Sequence, residues 1–125
     1  MTQPHILVVD DDPGIRFALA LKLRSVGYEV SEATDGIEAL ESVAKRCPDL
    51  VVLDVGMPRL DGYSVAQRLH ADAATRAVPI VILTAQNLQV PADVAAKLGR
   101  HRFLTKPFSP REVQRTIGEL LQREA

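Results

Sequence analysis

The chain has almost no cysteine: one residue, Cys47, in 125. A single thiol excludes an intrachain disulfide framework and a cysteine metal cluster. Cys47 follows a helical stretch and is expected to be a small packed residue rather than a reactive thiol. Long apolar runs are missing too, and none approaches the ~20 residues of a membrane span. The opening "MTQPH" lacks the basic-then-apolar order of a secretory leader, so none is expected, and the cytoplasm is the expected compartment. Charge of one sign is also absent. Fifteen Lys and Arg stand against 16 Asp and Glu, for a net charge of −1. That balance gives no general basis for binding nucleic acid or membrane. No internal repeat, low-complexity tract or linker interrupts the chain. His5, His70 and His101 are spread out without metal-ligand spacing and are expected at the surface.

What is there is an ordinary globular composition, 46% apolar and 25% charged, sized for one domain spanning 1–125. Short apolar runs alternate with helical patterns. The runs are "ILVV" (6–9), "YEVSEA" (28–33), "LVVL" (50–53), "IVIL" (80–83) and "FL" (103–104). Three are continuous and rich in Val and Ile, as strands buried on both faces must be. "YEVSEA" alternates apolar and polar, which places it at a sheet edge. Between the runs, apolar residues recur at helical spacing: Ile15, Leu19 and Leu23; Ile37, Leu40 and Ala44; Val65, Ala66 and Leu69; Val94, Ala95 and Leu98; Val113, Ile117 and Leu120. Gly27 is a plausible C-terminal cap, and Ser109-Pro110 a helix start. Strand and helix alternating five times predict an α/β fold, a flavodoxin-like (βα)5 with a parallel sheet in order 2-1-3-4-5 and helices on both faces.

Open α/β sheets bind ligands at the carboxyl ends of their strands. The residues there are Asp10, Asp11 and Asp12 after the first run, Asp54 after the third, Thr84 after the fourth and Lys106 after the fifth. Three adjacent carboxylates repel one another and need a positive partner. Asp10, Asp11 and Asp54 make a set of hard oxygen donors suited to Mg²⁺. Lys106 adds a point charge for phosphate oxygens, and Thr84 a hydroxyl. Together these groups suit phosphoryl transfer, with an Asp carboxylate as nucleophile. Taken singly, each has a plainer reading as a turn, cap or strand residue. Their joint position at successive strand ends favours the site.

The stretches "ILVVDDDPGIR", "DLVVLDVGMPRLDGYSV", "VPIVILTA" and "FLTKPFSPREV" resemble the receiver domain of two-component response regulators, over essentially the whole chain. The resemblance implies a phosphorelay switch that assists its own phosphorylation and dephosphorylation rather than an enzyme in the ordinary sense. Asp54 would be the phospho-acceptor. Mg²⁺ would be bound by Asp11, Asp54 and the backbone carbonyl of Gly56, with Asp10 acting through a metal-bound water. Thr84 and Lys106 would hold phosphoryl oxygens, beside a small Ala85. Phe103 matches the aromatic switch position, with a permanently buried ring as its plainer reading, and Asp12 would cap the first helix. The donor would be a histidine kinase or a phosphotransfer protein. An output partner, its identity open, would meet the surface made by residues 91–98, the last strand and the last helix. No direct nucleic-acid or membrane binding is implied.

The chain departs from the family pattern at Gly56 and Gln86, positions associated with phosphoryl lifetime. The stretch from Val94 to Pro110 contains no acid but carries Lys97, Arg100, Arg102 and Lys106; of these, Arg100 and Arg102 stand where many members have acids. Two other readings stay open. A haloacid dehalogenase-type Mg²⁺-dependent phosphatase would use Asp10 as nucleophile and Asp12 as acid, but leaves Asp54 unexplained. A receiver-like interaction module that is never phosphorylated would be expected to lack one of the key groups.

Overall fold

The computed structural model describes residues 3–54, 62–84, 102–105 and 107–124. Five strands, β1 (His5–Val9), β2 (Glu29–Ala33), β3 (Leu50–Asp54), β4 (Ile80–Thr84) and β5 (Arg102–Thr105), form one parallel sheet. The order is β2-β1-β3-β4-β5, as the alternation of runs predicts. Four helices are described: α1 (Pro13–Ser25), α2 (Gly36–Lys45), α3 (Gly62–Ala71) and α4 (Pro110–Glu124). The helix expected over 91–98 lies outside the described residues, as do Gly56, Ala85, Gln86 and Lys106.

The three central strands are buried at every position, which is why they read as unbroken apolar runs. The core lies in two layers. On one face, Leu7, Val9, Val51, Leu53 and Ile82 pack against Ala39 and Val43 of α2 and Val65, Ala66 and Leu69 of α3. On the other, Ile6, Val8, Val52, Val81 and Leu83 pack against Leu19 and Leu23 of α1 and Val113 and Ile117 of α4. Burying each Val, Leu or Ile side chain of these layers contributes about 1.5–3 kcal/mol. Edge strand β2 alternates: Val30 packs toward α1 and α4, Ala33 toward α2 and α3.

Helix ends follow local chemistry. Asp12 Oδ1 accepts the N–H groups of Gly14 (2.8 Å) and Ile15 (3.3 Å), capping α1 with Pro13 in its first turn. At its far end Gly27 takes φ +100°. The Tyr28 N–H reaches the Leu23 carbonyl and the Gly27 N–H that of Arg24, both at 3.1 Å, a Schellman stop. Ser109 and Glu112 cap α4 reciprocally. The Glu112 N–H donates to Ser109 Oγ at 3.2 Å, and the Ser109 N–H to Glu112 Oε1 at 3.3 Å.

Three expectations need correction. On α2 the buried face is Gly36, Ala39 and Val43, with Leu40 half-buried, while Ile37 is 44% exposed. Small residues at 36 and 39 let the helix sit close on the sheet, and that turns Ile37 outward. Cys47 is exposed rather than packed. Its thiol is nonetheless held above its ordinary value, by partial burial first and then by Asp49 and Asp72, which disfavours a reactive thiolate. His5 is buried instead of lying at the surface. It is the first residue of β1, with Nε2 2.6 Å from Ser31 Oγ on β2 and its N–H on Asp49 Oδ2 at 2.7 Å.

Candidate functional site

The β1, β3 and β4 ends meet at one edge of the sheet. Asp10 follows β1 directly, Asp54 ends β3, and Thr84 ends β4, one residue beyond Leu83, the register partner of Asp54. Ligand atoms of Asp10, Asp11 and Asp54 lie within 4.8 Å of one another. Asp10 and Asp54 are buried, whereas Asp11 is exposed. Two carboxylates at the floor and one at the rim make an open cup of hard oxygen donors. This donor set fits a divalent ion such as Mg²⁺, which takes few carboxylates and keeps several waters. Among the described residues it is the one such cluster of potential metal ligands.

Backbone geometry holds the cup. The Asp10 N–H donates to the Ala33 carbonyl at 3.1 Å, extending the pairing of β1 with β2. Asp10 Oδ1 accepts the Asp12 N–H at 2.9 Å. Asp12 is thereby occupied in the loop and in capping α1, as expected, and is not a member of the carboxylate trio. Arg16 closes the loop from the helix side, its Nη1 donating to the Asp10 carbonyl at 2.9 Å. Sequence reading missed this role, because it depends on α1 folding back over the loop.

Thr84 is 2% exposed at the floor of the same edge. Phe103 on β5 is half-buried against the α2 and α3 core layer. Its register partner is Ile82, two residues before Thr84 on β4, so strand alternation puts Phe103 and Thr84 on one face of the sheet. Thr105, the register partner of Thr84, directly precedes Lys106 in the chain. Lys106 and Gly56 themselves lie outside the described residues.

Comparisons with known proteins agree with this geometry. The family model described as "Response regulator receiver domain" matches residues 6–118. The "Probable transcriptional regulator ycf27" of Cyanophora paradoxa is 45% identical over 123 residues, 98% of this chain and 50% of that protein. The Bacillus subtilis "Alkaline phosphatase synthesis transcriptional regulatory protein PhoP" is 42% identical over 118 residues, 94% of this chain and 48% of its own. The chain thus spans about half the length of these curated relatives. A putative response regulator from Chloroflexus aurantiacus, of solved structure, superposes with a TM-score of 0.87 at 36% identity, covering 97% of this chain and 99% of that one. The haloacid dehalogenase reading gains nothing from these matches and requires as its acid the residue that caps α1. With the flavodoxin-like strand order, the carboxylate cup at its edge and a family match over nearly its whole length, the chain belongs to the response regulator receiver domains, the signalling switches of two-component systems.

Proposed function

We propose that this receiver accepts a phosphoryl group from a phosphohistidine onto the carboxylate of Asp54. The observation that carries the reading is the convergence of Asp10, Asp11 and Asp54 within 4.8 Å at the end of β3, with Thr84 on the adjoining strand. Asp54 is the nucleophile: one carboxylate oxygen attacks phosphorus in line, the bond to the donor nitrogen breaks, and the product is an acyl phosphate. Asp10, Asp11 and Asp54, with the Gly56 carbonyl as a further ligand, would hold Mg²⁺, Asp10 through a water. When bound, the ion offsets the charge of the carboxylates and the transferring oxygens. The Thr84 hydroxyl donates to one phosphoryl oxygen, and Lys106 pairs with another. Water later hydrolyses the acyl phosphate, so the domain assists both its gain and its loss without acting as an enzyme on a separate substrate.

The phosphoryl group brings roughly two negative charges. Thr84 moves toward it, and Phe103, on the same face of the sheet, turns into the space released. The surface of residues 91–98, β5 and α4 then shifts between two states and engages the output partner. We place the protein in the cytoplasm, facing a histidine kinase or phosphotransfer protein, with no direct role for nucleic acid or membrane. Among the described residues no helix is long and apolar enough to cross a membrane.

The test is incubation with acetyl phosphate and Mg²⁺. The wild-type protein should gain one phosphoryl group. Chelating Mg²⁺ or introducing Asp54→Asn should abolish the gain. Full labelling of Asp54→Asn at the wild-type rate would end this reading.

A further inference from the structure

We propose that Arg16 is a positioning residue for the carboxylate cup, setting its affinity for a divalent ion through the Asp10–Asp11 peptide. The inference rests on the reading of that cup as a Mg²⁺ site. The guanidinium makes contacts in two directions. Its Nη1 donates to the Asp10 carbonyl at 2.9 Å, and its Nε to Glu32 Oε1 at 3.2 Å. Glu32, on β2, is itself braced by Arg24 of α1, since its Oε2 lies 3.4 Å from Arg24 Nη2 and that nitrogen donates to the Val30 carbonyl of β2 at 3.1 Å. The chain of contacts runs from edge strand β2 through α1 to the loop that carries two of the three ligand carboxylates.

What Arg16 holds is the plane of one peptide. The carbonyl of Asp10 and the N–H of Asp11 share that plane. The Asp10 N–H is fixed by Ala33 and its Oδ1 by the Asp12 N–H. With the carbonyl fixed as well, the direction in which Asp11 leaves the plane is set. Asp11 is the exposed member of the trio and needs this control most. Arg16 is 19% exposed, so its guanidinium is sheltered enough to hold one geometry.

Two effects of opposite sign follow from one residue. As a cation near the cup, Arg16 opposes a divalent ion. As a clamp, it preorganises the ligands and favours one. Outer hydrogen-bond partners of metal ligands are worth about 10–100-fold in affinity, whereas the charge of a guanidinium already paired with Glu32 at 3.2 Å is largely compensated. The clamp therefore wins.

The experiment measures Mg²⁺ affinity of the whole chain by NMR titration of amide shifts, a suitable probe because the chain has no tryptophan. It also measures amide exchange of Asp12 without metal. Arg16→Gln and Arg16→Lys should both bind Mg²⁺ about tenfold more weakly, and the Asp12 N–H should exchange faster in both. Glu32→Gln, which keeps Arg16 but loosens its brace, should show a smaller loss and carries the comparison if the Arg16 variants fold poorly. Wild-type Mg²⁺ affinity in folded Arg16 variants, even with lowered melting temperature, would make Arg16 a purely structural residue and overturn the proposal. Tighter binding in Arg16→Gln alone would overturn it in favour of the charge effect. Absence of saturable Mg²⁺ binding by the wild-type protein would overturn the metal-site reading itself, and this inference with it.

Discussion

Asp11 stands apart from the other two carboxylates of the trio because it is exposed. Removing it relieves repulsion within the cup and breaks no buried contact. Asp11→Ala should therefore lose Mg²⁺ affinity while its metal-free unfolding free energy stays equal to or above that of the wild type. Chemical denaturation in chelator checks this, and a clear metal-free loss would make Asp11 a structural acceptor. His5, at the opposite end of β1, gives a pH dependence. Burial, then the charge of Arg46, lowers its pKa below 6.5, and Glu29 and Asp49 oppose the shift only partly. The unfolded chain takes up this proton before the folded one does. Stability is thus complete above pH 6.5 and is lost as pH falls from there through the folded pKa. His5→Gln should flatten that slope in urea melts at stepped pH, while the carboxylate contributions at lower pH remain.

Among the elements, the helix ends offer the sharpest tests. Asp12→Ala removes the acceptor of two N–H groups at the start of α1 and should cost about 1 kcal/mol. Gly27→Ala meets no atom within 4 Å of the added carbon, so its cost is conformational alone, about 1 kcal/mol from φ +100°. Gly27→Asn, which tolerates that region better, should cost less. Thermal melts of the three variants decide both points. These caps were legible because each uses a local signal, Asp before Pro-Gly or Gly after a basic turn. The strand ends were legible for a similar reason, since a strand buried on both faces must be apolar until it leaves the core. The rotation of α2 was not, because Ile37-Leu40-Ala44 and Gly36-Ala39-Val43 have the same spacing, and only the sheet surface chooses between them. The burial of His5 was not either, since it follows from pairing with Ser31 and Asp49, residues 26 and 44 positions away. Nor was the Arg16 clamp, which needs β2 beside β1 to bring Glu32 into place.

On the scale of the whole molecule, a divalent ion held by the cup would couple metal to stability. Mg²⁺ at 100 times its dissociation constant should raise the unfolding free energy by about 2.7 kcal/mol, provided the unfolded chain does not bind it. Chelation should reverse the gain, and Asp11→Ala should nearly abolish it. The sheet order and the joint placement of Asp10, Asp11, Asp54 and Thr84 were readable from sequence, because a parallel sheet brings the residue after each strand to one edge. Lys106, Gly56 and the basic stretch with Arg100 remain sequence expectations. The most direct measurement is to phosphorylate the protein with acetyl phosphate and Mg²⁺, reduce the acyl phosphate with borohydride, and locate the resulting homoserine by peptide mass spectrometry. A receiver of this geometry should carry it at residue 54 alone. Homoserine at residue 10, or none at residue 54 in a protein shown to be phosphorylated, would contradict the assignment of Asp54 as the acceptor.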